Sequence, residues 1–203
     1  MADGLRDGGI EEPFEVQTKS IPGALEGRDV CCRAPTGSGK TLAFGIPLVS
    51  KTVKAKPKRP TSLILTPTRE LAEQMRGVLQ PLASSTGCGV RSVYGGTPYK
   101  GQLRRLGHGV EILVACPGRL IDLLDRGALR LDDVGIVVLD EADRMADMGF
   151  IEPVCSILDK CRHDRQTILF SATLDDDVAE IVKSYQNEPL RVSIGPELSL
   201  IHI

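Results

Sequence analysis

Short, β-branched apolar runs recur along this chain of 203 residues, with longer stretches of helical spacing between them. The runs cover 29–33, 62–66, 90–94, 111–115, 134–139, 166–170 and 190–193. In GIVVLD, which opens at Gly135, nearly every position is apolar. A strand with one face in water alternates apolar and polar residues, whereas a continuous run needs cover on both faces. Helical spacing predicts helices near 41–52, 69–84, 118–126, 151–161 and 175–185. Strands alternating with helices build right-handed crossovers and a parallel sheet. The fold class that follows is α/β: three layers, with a central, mostly parallel sheet and helices on both faces. Ligands of such sheets bind at the carboxyl ends of the strands, so the loops after the strands are expected to hold the chemistry.

The length suits one sizeable domain, and 41% apolar residues supply a core for it. No uninterrupted apolar stretch is long enough to predict a membrane span. The charged start, MADGLRDGGIEEPF, lacks the apolar centre of a secretory signal, so a cytoplasmic location is expected. Cys31, Cys32, Cys88, Cys116, Cys155 and Cys161 form no C-x-x-C pair, and several sit inside apolar runs. Reduced, buried thiols are expected, and with three histidines and no His/Cys cluster a zinc site is not. A net charge of −2 argues against nucleic-acid binding by bulk electrostatics but allows a local basic face. Aromatics at 3% argue against a base-stacking platform. The basic stretch KTVKAKPKRPT, 51–61, reads as a solvated loop, with a phosphate-contacting patch as the alternative.

Three strand-end loops carry chemistry. APTGSGKT joins the strand DVCCR to the apolar helix LAFGIPLV, the context a phosphate-binding loop requires. Gly37 and Gly39 let successive N–H groups turn inward toward phosphate oxygens, and the helix behind adds its positive end. Lys40 is expected to reach the β and γ phosphates, and the Thr41 hydroxyl to ligate Mg²⁺. Ala34 stands where the general pattern has glycine, which is harmless if the turn begins at Gly37. After GIVVL comes DEAD, 140–143. A carboxylate at the end of a buried strand is costly unless paired or metal-bound, so Asp140 is expected to hold Mg²⁺. Glu141 is expected to orient and deprotonate an attacking water. The alternative is an acidic helix start. After QTILF comes SAT, 171–173. Spacing alone favours simple capping of the next helix over a bridge from these hydroxyls to Asp143.

APTGSGKT, PTRELA (67–72), GG (95–96), PGR (117–119), VLDEAD and SAT occur in an order that resembles the DEAD-box ATP-dependent RNA helicases. GIEEPFEVQ, 9–17, resembles their Q motif. The resemblance covers about residues 9–195 and implies a RecA-like P-loop NTPase domain. It leaves 1–8 as a disordered stub and 196–203 as the start of a linker or a non-native tail. It implies ATP and Mg²⁺ as cofactors, with Ala34, Pro35, Thr36, Gly37, Ser38, Gly39, Lys40 and Thr41 around the phosphates and Gln17 on the adenine edge. Lys40, Asp140 and Glu141 would be catalytic. It assigns Pro67, Thr68, Arg69, Glu70, Gly95, Gly96, Pro117, Gly118 and Arg119 to the RNA sugar-phosphate backbone. Such contacts carry no base code, so binding would be sequence-independent. It also overrides capping for the third loop: Ser171 and Thr173 would couple the nucleotide state to unwinding through Asp143. The protein is expected to be a monomer.

The sequence departs from this family in places. Cys116 stands where threonine usually precedes PGR. The family's adenine-stacking aromatic lies upstream of the Q motif, and the family's second RecA-like domain carries an arginine-finger motif; the resemblance leaves both expected to be missing from this chain. Arginine fingers contribute on the order of 10³–10⁵ in rate. The chain alone is therefore expected to bind ATP weakly and barely hydrolyse it, and the ending LSLIHI is expected to be non-native. Two competing readings follow: a non-enzymatic ATP- and RNA-binding module, and a DNA helicase or translocase of the same superfamily.

Overall fold

The computed structural model describes residues 12–195. The 1–8 stub, residues 9–11 of the Q-motif-like stretch and the 196–203 tail lie outside the described residues. The order is α1 (Glu15–Leu25), β1 (Val30–Arg33), α2 (Lys40–Lys51), β2 (Ser62–Leu65), α3 (Arg69–Ser84), β3 (Val90–Val93), α4 (Tyr99–Leu106) and β4 (Ile112–Ala115). Then follow α5 (Pro117–Asp125), β5 (Ile136–Asp140), α6 (Ala142–Asp147), α7 (Ile151–Leu158), β6 (Gln166–Ser171), α8 (Asp176–Tyr185) and β7 (Leu190–Ser193). All seven expected strands form. Helices α1, α4 and α6 were not foreseen: α1 contains Pro22, α6 is a short helix inside the DEAD segment, and α4 is strongly polar.

The strands form one sheet in the order β3-β4-β2-β5-β6-β1-β7, and every pairing is parallel. Strands β2, β4 and β5 are buried at every position, as continuous apolar runs require. The edge strands are less covered: β3 exposes Arg91 between buried Val90 and Val93, and β7 exposes Arg191 and Ser193 on either side of buried Val192. Successive side chains point to opposite faces, so β1 to β6 feed two cores, while edge strand β7 gives Val192 to one of them. On one face Ile64, Val114, Val138 and Phe170 pack with Val16 of α1, Phe44 and Leu48 of α2 and Leu79 of α3. On the other, Leu65, Leu113, Val137 and Leu169 pack with Leu120, Leu123, Ile157 and Ile181. Phe44 meets Phe170 edge to face at 5.5 Å. Helix α2 approaches α3 so closely that a Cβ on Gly45 would lie 2.5 Å from Leu79 Cδ2.

This order decides where the loops go. The chain runs from β1 to β2 across two strands, β5 and β6, that are added later. Three neighbouring strands, β5, β6 and β1, therefore end in the DEAD, SAT and APTGSGKT loops. The other three neighbours, β3, β4 and β2, end in the GG, PGR and PTRE loops. The basic 51–61 loop is pinned by Arg59, whose guanidinium bonds Asp133 at 2.7 and 2.8 Å and Asp132 at 3.2 Å.

Candidate functional site

The phosphate-type loop starts from a fixed point. Ala34 is fully buried, and its N–H donates to the Ser171 carbonyl at 2.9 Å. It needs no glycine. The positive φ values fall on Gly37 (83°) and Gly39 (86°), the latter starting α2. Pro35 and Thr36 are exposed, and Ser38 Oγ donates to the Pro35 carbonyl at 2.8 Å, closing the turn. A Cβ on Gly37 would meet nothing within 4 Å, so open space faces the loop there. Lys40 is 7% exposed, and its Nζ donates to the Ala34 carbonyl at 3.3 Å. A buried ammonium held by one neutral carbonyl is poised for an anion.

Asp140, Glu141, Lys40, Thr41, Gly37 and Gly39 share one cavity of about 270 Å³. Asp140 is 5% exposed and its Oδ1 is buried without a partner. Burial pushes its carboxyl up to about 6, with Lys40 opposing the rise and Glu141 and Asp143 adding to it. An orphaned buried carboxylate oxygen costs about 1–3 kcal/mol or more. A hydrated divalent cation removes that cost, so the donor set, Asp140 with Thr41, fits Mg²⁺. Glu141 adopts φ 53°, ψ 52°, a left-handed conformation that costs a non-glycine residue about 1–2 kcal/mol. Its carboxylate is held by Arg144 at 3.2 Å.

Gln17 is 3% exposed. Its Oε1 accepts from the Phe14 N–H at 3.0 Å, and its Nε2 donates to the Gly39 carbonyl at 3.1 Å. It thus clamps the phosphate loop from α1. Phe14 was not foreseen at this site: it is 58% exposed, and a Cβ on Gly39 would lie 2.7 Å from both Phe14 Cδ2 and Gln17 Nε2. A large exposed aromatic immediately after Pro13 and three residues before Gln17 was the available clue.

The third loop is wired to the second. The Asp143 N–H donates to Ser171 Oγ at 3.0 Å. Asp143 Oδ2 accepts from the Ala172 and Thr173 N–H groups at 3.2 and 3.1 Å, and from Thr173 Oγ1 at 3.4 Å. Helix α8 is capped by Asp175, whose Oδ1 accepts from the Val178 N–H at 3.0 Å. Neither Ser171 nor Thr173 is that cap. Asp143→Ala is expected to destabilise the chain by about 1–3 kcal/mol, because several donors lose a charged acceptor, and urea denaturation measures this.

On the other half of the rim, Pro67 is buried and Thr68 caps α3, its Oγ1 accepting from the Leu71 N–H at 3.3 Å. Arg69 is exposed and pairs with Glu70 at 3.0 Å. Gly95 and Gly96 are exposed, and a Cβ on Gly96, whose φ is 79°, would lie 3.9 Å from Arg69 Nη1. Pro117 opens α5, with Gly118 exposed beside it and Arg119 part-buried. Cys116 is the N-cap residue of α5 but makes no side-chain cap bond, and burial pushes its thiol up to about 11, keeping it neutral. Larger clefts of about 330 and 420 Å³ lie around Asp29 at the amino ends of the strands. Asp29 is committed there to the Thr167 and Asn187 N–H groups, both at 2.7 Å. Among the described residues, no phosphate-type loop or orphaned carboxylate lines those clefts.

The family model of the DEAD/DEAH box helicases matches residues 14–181. The chain belongs to that family. Among DEAD/DEAH box helicases it is 45% identical over 197 residues to "DEAD-box ATP-dependent RNA helicase 9, mitochondrial" of Arabidopsis thaliana, covering 94% of this chain and 32% of that protein. It is 43% identical to "RNA helicase CrhR" of Synechocystis, covering 94% of this chain and 38% of that protein. The chain thus spans about a third of the length of these relatives. Two solved helicases superpose on it. One is a hypothetical ATP-dependent RNA helicase from Sulfolobus tokodaii (TM-score 0.87, 38% identity, 95% of this chain and 56% of that one). The other is the RNA-helicase Prp28 from Chaetomium thermophilum bound to ADP (0.89, 41%, 97% and 48%). The seven-stranded parallel sheet is therefore the RecA-like fold of this helicase family. Among the described residues no helix is long and apolar enough to cross a membrane.

Proposed function

We propose that this chain is the ATP- and RNA-binding domain of an ATP-dependent RNA helicase. The observation that supports the reading best is the single cavity shared by Lys40, the phosphate-type loop, the orphaned Asp140 carboxylate and Glu141. In this reading Lys40 leaves the Ala34 carbonyl for the β and γ phosphates, and backbone N–H groups of 36–41 hold the phosphate oxygens. Asp140 and Thr41 would hold Mg²⁺, which when bound would neutralise phosphate charge. Glu141 gives up Arg144 and takes a proton from the attacking water as the water oxygen bonds to the γ phosphorus and the bond to the bridging oxygen breaks, ADP leaving with that oxygen. Loss of the γ phosphate is felt at Glu141, two residues before Asp143, and passes through its bonds to Ser171 and Thr173. The RNA backbone runs over Arg69, Gly95, Gly96, Gly118 and Arg119. Hydroxyl contacts to ribose would favour RNA over DNA.

Because the chain spans about a third of its relatives, unwinding and multiple turnover are proposed for the whole protein, and binding with little turnover for this chain. The six free thiols suit a cytoplasmic, reducing setting. The reading is tested by titrating the chain with a fluorescent ATP analogue and Mg²⁺. Saturable binding that Lys40→Ala removes supports it, and equal binding by both proteins refutes the site.

The exposed ring of Phe14 lies where a base attached to phosphates at Lys40 would pass Gln17, and we assign it the stacking role. Phe14→Ala is expected to weaken nucleotide binding about 5- to 150-fold, the effect of one lost base–aromatic stack of about 1–3 kcal/mol. Phe14→Tyr keeps it, and isothermal calorimetry reads both.

A further inference from the structure

We propose that Gln102 is a positioning residue that aims Arg119 at an RNA phosphate and locks the Gly95–Gly96 loop to it. The inference rests on the RNA reading above. Gln102 stands on α4 and is 7% exposed, unusual for an amide on a polar helix. Its Nε2 donates to the Tyr94 carbonyl at 3.1 Å and to Thr97 Oγ1, residues that flank the two glycines. Its Oε1 accepts from Arg119 Nη1 at 3.2 Å, and the same Nη1 donates to the Thr97 carbonyl at 3.3 Å. Both amide donors and the acceptor are thus spent on two different strand-end loops. A buried amide satisfied this way is a cross-brace, since releasing any arm leaves an unpaired polar group inside.

The brace also sorts the guanidinium edges. Nη1 is committed to protein, which leaves the Nε–Nη2 side of Arg119 for a planar, bidentate bond to phosphate. Tyr99, from the same helix, places its ring 5.6 Å from the Arg119 guanidinium and 4.8 Å from that of Arg126. Nearby arginines have their charge answered, Arg69 by Glu70 and Arg126 by Asp122. Among the described residues no carboxylate pairs with Arg119. Its charge is held in place without being cancelled, as a phosphate ligand requires. The residue must be glutamine: a glutamate would set oxygen against the Tyr94 carbonyl and neutralise Arg119.

The test titrates the chain with a 12-nucleotide oligouridylate at several low salt concentrations, following anisotropy, with Mg²⁺–ADP affinity measured alongside. Each phosphate contact on a single strand contributes about 0.7 to the slope of log K against log salt. Arg119→Ala is expected to lower that slope by about 0.7. Gln102→Ala, and the volume-matched Gln102→Met if alanine does not fold, are expected to lower it by the same amount. The double variant with Arg119→Ala is expected to lose no more, and Gln102→Glu to bind as weakly, all with ADP affinity kept within about twofold. A Gln102 variant with an unchanged slope beside an affected Arg119→Ala overturns the positioning role and leaves the RNA face standing. An unaffected Arg119→Ala, or a wild-type chain that binds no RNA, refutes the RNA face and the brace together.

Discussion

Asp140→Asn is expected to raise the melting temperature of the nucleotide-free chain while removing its Mg²⁺-dependent nucleotide binding. The carboxyl is buried, one oxygen has no partner, and burial pushes it up to about 6 from an ordinary 3.8. The folded state therefore holds the Asp140 proton more tightly than the unfolded chain does. As pH rises from 4 through 6, ionising this group costs the folded state increasingly, and above about 7 the cost is complete. Two units correspond to roughly 3 kcal/mol, and about 2 kcal/mol after allowing for the unpaired amide that asparagine brings. At roughly 2–4 °C per kcal/mol for a domain of this size, the gain is roughly 4–8 °C at pH 8. It shrinks as pH falls through 6 and vanishes near 4. Calorimetric scans of both proteins across this range measure it. A variant no more stable than wild type at pH 8 would show that the buried carboxylate carries no strain for a cation to relieve.

Lys40→Ala and Glu141→Gln are expected to separate binding from chemistry. Lys40 is the buried cation of the cavity, so its loss removes charge-assisted bonds to two phosphates, and nucleotide affinity should fall by about two orders of magnitude. In the proposed reading Glu141 contributes a proton acceptor and little binding. Glu141→Gln keeps shape and removes basicity, so hydrolysis should fall by about 10²–10⁴ with affinity nearly unchanged. The measurement is single-turnover hydrolysis, with and without RNA, in a protein that carries this domain within the full length of its relatives. Parallel losses of binding in both variants would argue against the division of labour. RNA-stimulated turnover by the 203-residue chain alone would argue that the domain needs no further part for catalysis.

Much of the architecture was legible because its causes are local. The fully apolar runs at Leu63, Val114 and Val138 could only be strands covered on both faces, and Gly37 and Gly39 announced a turn with positive φ. Elements whose stability comes from packing were illegible. Helix α1 forms around Val16 and Ala24 against the sheet despite Pro22, and α4 forms although it is strongly polar, held by Leu106 and Gln102. Spacing alone misassigned Ser171 and Thr173 to capping, because Asp175 was a better cap two residues on and Asp143 lies 28 positions upstream of Ser171.

Residue types and local spacing were enough to mark the chemistry expected of this chain: a glycine turn with Lys40 for phosphate, paired acids at a strand end, and small residues and arginines for a nucleic-acid backbone. Those properties belong to single residues and their immediate neighbours. Which of them meet was set by long-range packing. The sheet order brings β1, β5 and β6 together and sets β2, β3 and β4 beside them. Burial leaves Asp140 with an empty-handed oxygen, turns Gln17 inward to clamp Gly39, and joins Gln102 to Arg119 across 17 residues. Strand order and burial depend on contacts between distant segments, and local periodicity carries no record of those.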